Sequence, residues 1–323
     1  DLPSTLAYSV EDFAMFCKQD PECSLIFYGG EPLLAKEKIV EIINAVPATK
    51  FLIQTNGTLL HSLDEKTLRN LHTIAVSVDG REETTDYFRG PGTFRKVVNN
   101  LHLIKCRGFM GEIIARMTVM EPVDLYEEVT WLLNNEEFSF PAVHWQLNAG
   151  FWNDFDRRDF QRWAREIYNP AIRRLVKFWI DQMRHGKVLK IYPFLGITKS
   201  LLEGSPSRLR CGAGWANYAI QTDGHIIPCP SMWGMRDFYL GHIKRSKPTK
   251  LPQIFIGEQC LRCAVYTVCG GRCLYANIMK RWKTEQYKVV CQTVENLIEA
   301  IRKVVPQIRE LISQGLVSKN DFE

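Results

Sequence analysis

The sequence predicts an α/β protein, in which a parallel sheet built from strand–loop–helix units is followed by a small cysteine-rich domain. Three observations carry this. Short apolar runs ending in Gly, Asn or Asp alternate with amphipathic helical stretches roughly every 25 to 35 residues. Seven of the ten cysteines crowd between Cys211 and Cys291. No apolar run approaches the ~20 residues a membrane helix needs, so the 46% hydrophobic content of these 323 residues is core material.

Ser9, Glu11 and Asp12, placed ahead of apolar residues at helical spacing, mark a capped helix over 9–18. Cys17 and Cys23 flank its end and read as two small core thiols. Ser24 to Tyr28 is a short buried strand; it ends at Gly29-Gly30-Glu31-Pro32, and a helix starts near Pro32. The unit recurs. Residues 51–55 end at Asn56-Gly57 and lead into a helix over 63–71. Residues 73–77 end at Val78-Asp79-Gly80 and lead through a polar loop into a helix over 93–106. Residues 112–119 stop before Pro122 and a helix over 126–133, and a strand at 143–148 follows. Such alternation implies right-handed crossovers. Ligands of parallel sheets gather at the carboxyl ends of the strands. Here those ends are Gly29 to Glu31, Thr55 to Gly57, Ser77 to Gly80, Thr118 and Gln146 to Asn148, a rim of small and polar residues.

Residues 154–185 read as one or two amphipathic helices broken at Pro170. Residues 217–228 alternate around Asp223-Gly224, a hairpin that delivers Cys229 at the end of its second strand. A long amphipathic helix over 291–314 begins with Cys291, and Trp145, Trp152, Trp215 and Trp233 are expected near a cavity, mostly as packing. The expected domains are 1–153, a bridging segment at 154–200, and 201–323.

The cysteines carry chemistry. Cys211, Cys229, the run Cys260-x2-Cys263-x5-Cys269-x3-Cys273, and Cys291 are grouped as ligands of soft metal centres, and seven exceed what one four-ligand site uses. Two sites follow. Seven thiolates fit a pair of structural zinc sites poorly, and their crowding points to metal thiolates in a reducing cytoplasm rather than disulfides. The net charge of +5 is mild, and neither a nucleic-acid nor a membrane partner is expected. At the rim, Gly29 and Gly30 let a ligand approach the backbone. Ser77 and Arg89 are suited to a carboxylate, so the rim matches an amino-acid moiety.

The string Phe27-Tyr-Gly-Gly-Glu-Pro-Leu33, the strand ends QTNGT and SVDG, and the pattern C-x12-G-x4-C, C-x2-C-x5-C-x3-C and a last Cys resemble the radical S-adenosylmethionine enzymes of the SPASM class, over nearly the whole chain. The resemblance implies a partial (β/α)6 barrel lacking its first strand, followed by a SPASM domain with a β-hairpin and a C-terminal helix. It implies that Gly29, Gly30, Glu31 and Pro32 contact the methionine amino group of S-adenosylmethionine, that Ser77 and Arg89 hold its carboxylate, and that Asn56 and Leu147 complete the cofactor-binding set. It further implies that Cys211, Cys229 and Cys273 ligate one auxiliary [4Fe-4S] cluster, and Cys260, Cys263, Cys269 and Cys291 the other.

Two departures matter. The C-x3-C-x2-C loop that binds the S-adenosylmethionine-cleaving cluster is absent from residues 1–323; Cys17 and Cys23 have the wrong spacing, and Cys106 is solitary. The first strand and that loop are expected upstream of Asp1, and a third [4Fe-4S] cluster only with them; this chain alone is expected to be inactive. Sulfatase-maturing relatives carry a cysteine where this chain has Asn217 and an aspartate where it has Pro230, which argues against that role. The cluster of Cys211, Cys229 and Cys273 is then expected to have an iron site open to a substrate thiolate, or filled by His225 or water. The expected function is hydrogen abstraction from a ribosomal peptide or protein through a 5′-deoxyadenosyl radical, with thioether or other cross-link formation and a ferredoxin or flavodoxin as electron donor. A small-molecule substrate, sulfatase-maturase-like oxidation and a binding protein without the radical cluster are the alternatives. No residue is singled out as the proton acceptor.

Overall fold

The structure is a computed structural model and describes residues 2–323. Its main elements are α1 (Val10–Cys17), β1 (Ser24–Phe27), α2 (Lys36–Ala45), β2 (Lys50–Thr55), α3 (Glu65–Asn70), β3 (Leu71–Ser77), α4 (Glu82–Arg89), α5 (Thr93–Cys106), β4 (Glu112–Val119), α6 (Leu125–Asn134) and β5 (Ala142–Leu147). They continue with α7 (Asn169–Arg184), β6 (Lys190–Ile191), α8 (Tyr192–Glu203), β7 (Ala219–Ile220), β8 (His225–Ile227), β9 (Gly241–His242), α9 (Leu274–Met279) and α10 (Thr284–Ser313). β1 to β6 form one sheet in chain order. β1/β2, β2/β3, β4/β5 and β5/β6 pair in parallel. A sheet whose spatial order equals its chain order is what successive crossovers of one hand produce, as the alternating pattern requires.

The chain divides into two compact units, the first comprising residues through Ser77, Arg95–Ile113 and Cys211–Phe255. In the first unit Ser9 caps α1, its Oγ accepting from Asp12 N–H at 3.0 Å. Val10, Phe13, Phe16 and Cys17 of α1 pack with Ile42 and Val46 of α2 and with Ile226, Leu240 and Ile243 around the antiparallel β7–β8–β9 sheet. Cys17 is buried there and Cys23 packs against the same cluster, as two core thiols should.

The second unit comprises Val78–Phe94, Ile114–Arg210 and Ile256–Glu323. Its core joins β4, β5 and α6 to α7, α8 and α10, with Trp179 fully buried and its Nε1 donating to Leu189 O at 2.9 Å. Phe155, Phe160 and Trp282 form an aromatic cluster.

Three elements differ from the sequence reading. The polar loop after Gly80 contains α4: Glu82 and Glu83 suit a helix N-terminus, and the Asp86 carboxylate accepts from Gly92 and Phe94 N–H, fixing the exit. At Pro170 the helix does not break; a π turn at Ala164–Tyr168 absorbs the missing donor, and α7 continues with Pro170 in its first turn. The last helix starts at Thr284 rather than Cys291, because Gln286 Oε1 accepts from Lys283 N–H at 2.9 Å and caps it. Cys291 therefore lies about two turns inside. No helix among the described residues is long and apolar enough to cross a membrane.

Candidate metal and cofactor site

In the first unit the turn after β1 is organised by Glu31. Its carboxylate accepts from Leu33 N–H (3.0 Å), starting the next helical turn, and from Thr55 Oγ1 and Asn56 N–H (2.7 Å each) at the end of β2. One side chain thus locks two neighbouring strand ends, and charge-assisted bonds of this kind are short and strong. Side chains built on Gly29 or Gly30 would meet nothing within 4 Å, so the backbone there borders open space. A ligand with an ammonium group fits such a cradle, beside a fixed carboxylate. Asn56 Oδ1 is turned inward, onto Thr58 N–H (2.9 Å). Ser77, the last residue of β3, is half-buried.

In the second unit Arg89 is held by an aspartate: its Nη2 donates to Asp79 Oδ1 at 2.8 Å and its Nε lies 2.6 Å from Oδ2. Asp79 is buried and also accepts from Thr118 N–H (2.7 Å), at the carboxyl end of β4. A bidentate partner aligns the guanidinium plane, leaving its outer edge for a second anion. Gly80 is required here, since at φ +148° any side chain would strike Glu128, whose Oε2 accepts from Arg81 N–H. Farther down β4 and β5, Arg116 Nη2 donates to Gln146 Oε1 at 2.7 Å. Burial and the Arg116 charge hold the His144 imidazole down to about 3, so it is neutral at any ordinary pH.

Cys260, Cys263, Cys269 and Cys291 all lie in the second unit and interact electrostatically with one another. Burial pushes the Cys260 thiol up to about 11, with Cys269 and Cys263 pressing the same way. Cys291 is likewise pushed up to about 11, chiefly by burial and then by Cys260 and Cys269. Burial raises Cys269 too, against backbone donors at Gly271 and Arg272. Asn277 Nδ2 donates to Cys260 Sγ at 3.4 Å. Mutual crowding of thiols with no cation between them is costly once they ionise, and a metal centre reverses that sign. Among the described residues no three His, Cys, Asp or Glu side chains converge as a single ion would require. Four thiols drawn from one compact unit are the donor set that a [4Fe-4S] centre uses. Two side chains beside the quartet, Arg272 and Tyr287, bond each other, and neither the buried Arg272 Nη1 nor the buried Tyr287 hydroxyl has a further hydrogen-bond partner among the described residues. Donors left unspent next to thiols fit a centre bearing acceptor sulfides.

Of the other three cysteines, Cys273 lies in the second unit, while Cys211 and Cys229 lie in the first, at the β7–β8 hairpin. Asn217 Nδ2 donates to Cys211 O at 3.2 Å, closing the turn after that cysteine. His225 is oriented by Asp223, its Nδ1 lying 2.9 Å from Oδ2.

The family described as "4Fe-4S single cluster domain" matches residues 6–96. The cysteine-type anaerobic sulfatase-maturating enzyme of Clostridium perfringens is 23% identical over 304 residues, covering 86% of this chain and 80% of the relative. Native anSMEcpe, solved with bound AdoMet and the Cp18Cys peptide, superposes with a TM-score of 0.69 at 20% identity, over 94% of this chain and 92% of that one. Streptococcus suis SuiB bound to S-adenosylmethionine gives a TM-score of 0.51 at 16% identity, covering 87% and 69%. The chain is similar to these S-adenosylmethionine-binding proteins over most of its length and shares their fold.

Some residues of the site carried no local signal in the sequence, and one carried a signal that is plain only beside its partner. Asp79 was visible as the D of SVDG, ten residues before the arginine it holds. Arg272, Tyr287 and the Arg116–Gln146 pair gave no signal, because their roles depend on burial and on which face of a strand or helix they occupy.

Proposed function

We propose that this enzyme modifies a peptide or protein by hydrogen abstraction, forming a thioether or another cross-link. The observation that carries the reading is the quartet of interacting thiols in one unit, Cys260, Cys263, Cys269 and Cys291, with unspent donors beside it. Peptide substrates accord with anSMEcpe, solved with the Cp18Cys peptide, with SuiB, solved with the precursor peptide SuiA, and with the sulfatase-maturating enzyme of Clostridium perfringens. When bound, S-adenosylmethionine and its iron–sulfur centres supply a carbon radical able to take hydrogen from an unactivated C–H bond, and an outlet for an electron.

The chain's own residues position these groups. Gly29 and Gly30 expose backbone to the methionine amine, with Glu31 fixing the turn and Pro32 its exit; Ser77 and the Asp79-aligned Arg89 take the carboxylate; Asn56 and Leu147 flank it. Cys211, Cys229 and Cys273 hold the second auxiliary centre, with Asn217 in place of a fourth thiolate, so that a substrate thiolate can enter. We assign the barrel to 1–153, the bridge to 154–200 and the auxiliary-cluster domain to 201–323, with a ferredoxin or flavodoxin as electron source. Sulfatase maturation is the second reading, favoured by the Clostridium relative, but Pro230 offers no carboxylate where that chemistry needs one.

The test is anaerobic incubation of the full-length reduced enzyme with S-adenosylmethionine and peptides encoded by short reading frames beside its gene. A peptide lighter by two hydrogens, formed together with 5′-deoxyadenosine, is expected. 5′-Deoxyadenosine without any change in the peptides contradicts the assignment to those peptides, and conversion of a sulfatase cysteine to an aldehyde favours the second reading.

A further inference from the structure

We propose that Arg272 and Tyr287 form a donor pair that raises the reduction potential of the centre held by Cys260, Cys263, Cys269 and Cys291. The proposal rests on the reading of that quartet as iron–sulfur ligands.

Gly270, Gly271 and Arg272 adopt φ values of +71°, +96° and +53° in succession, between Cys269 and Cys273. The first two are glycines; the third is not, and an arginine in the left-handed region is strained and is held there only by its surroundings. Successive left-handed residues turn consecutive N–H groups to one side, an arrangement that suits an anion, and here the Cys269 thiol receives the donors of Gly271 and Arg272. The guanidinium spends Nη2 on Leu147 O at 3.1 Å. The guanidinium also bonds the Tyr287 side chain, and neither Nη1 nor the Tyr287 hydroxyl, both buried, has a further partner among the described residues. Tyr287 precedes Cys291 by four residues on α10, so the two share a face of that helix. The Arg272 charge acts on Cys269, Cys273 and Cys291.

The arginine cation and the hydroxyl bonded to it therefore lie within electrostatic reach of Cys273 and of the quartet's Cys269 and Cys291. Reduction adds one electron to a centre that is already anionic. A neighbouring cation and donors to sulfur stabilise the more negative state, so they raise the potential. A purely structural Arg272, tying the 269–273 turn to Leu147, would affect folding and iron uptake but not the potential of a loaded centre.

The experiment uses the full chain in a Cys211→Ala, Cys229→Ala background, reconstituted with iron and sulfide, so that the quartet's centre is the auxiliary one observed. Iron and sulfide are counted, and the potential is read by redox titration with electron paramagnetic resonance. Arg272→Met is expected to lower the one-electron reduction equilibrium tenfold or more, equivalent to 59 mV; Tyr287→Phe lowers it less, in the same direction. Arg272→Lys, which keeps charge but loses the fork, falls between Arg272→Met and the parent. Unchanged potentials in Arg272→Met and Tyr287→Phe at full iron content overturn the proposal alone. If Arg272→Met takes up no iron, Tyr287→Phe decides: a lowered potential supports the pair and an unchanged one overturns it. A parent that takes up no iron and sulfide overturns the iron–sulfur reading, and the proposal with it.

Discussion

The Gly29–Pro32 turn and the Cys260–Cys291 quartet solve opposite problems. The turn prepares for its ligand by leaving side chains out, and one carboxylate, Glu31, fixes the backbone around open space. The quartet gathers four thiols that repel one another once charged, and beside them an arginine and a tyrosine that bond each other and whose buried Nη1 and hydroxyl have no further partner among the described residues. The first is stable as it stands and receives a cofactor. The second holds its thiols protonated until a metal takes them as thiolates, and is completed by one. Metal loading should therefore change the stability of the quartet's surroundings far more than S-adenosylmethionine changes those of the turn.

Removing one quartet thiol should have the largest effect. Cys263→Ala is expected to lose about half of the iron that the auxiliary sites bind, roughly four atoms of eight, as determined by iron and sulfide analysis; full retention would show that these thiols act independently. Next comes the buried ion pair. Asp79→Asn leaves Arg89 without its anion and should cost about 3 kcal/mol in urea-induced unfolding, since breaking a buried pair on one side strands a charge. A change within a few tenths would mean that Arg89 swings out to water. Glu31→Gln keeps shape but drops the charge that holds Thr55 and Asn56, and S-adenosylmethionine affinity should fall about tenfold by equilibrium dialysis.

The smallest effect is one of pH. The Cys260 and Cys291 thiols are raised from the usual 9.0 to about 11 in the folded chain. Their folded form binds more protons between those values, so the metal-free chain should hold its stability below pH 9 and lose it progressively as pH rises toward 11. The loaded chain, whose thiolates are already deprotonated on metal, should show no such slope in thermal unfolding. Equal slopes would separate these thiols from the metal site.

Much of this was legible because cysteine spacing and strand-end glycines are local signals. The alternation of apolar runs gave β1 to β5 and most helices, since burial against a parallel sheet imposes it. α4 was not legible: Glu82 to Arg89 carries few apolar residues, and Asp86 holds its exit through contacts made after folding. The start of α10 was hidden because Lys283 is not a usual capping residue; the cap comes from Gln286. Arg272 reads in sequence as one more basic residue beside a cysteine. Its left-handed φ and its buried, unspent Nη1 exist only in the fold.

Counting iron and acid-labile sulfide in the anaerobically reconstituted chain tests the central claim most directly. A brown protein with about eight of each per chain is predicted, as two [4Fe-4S] centres require; a colourless protein holding zinc and no sulfide would contradict it.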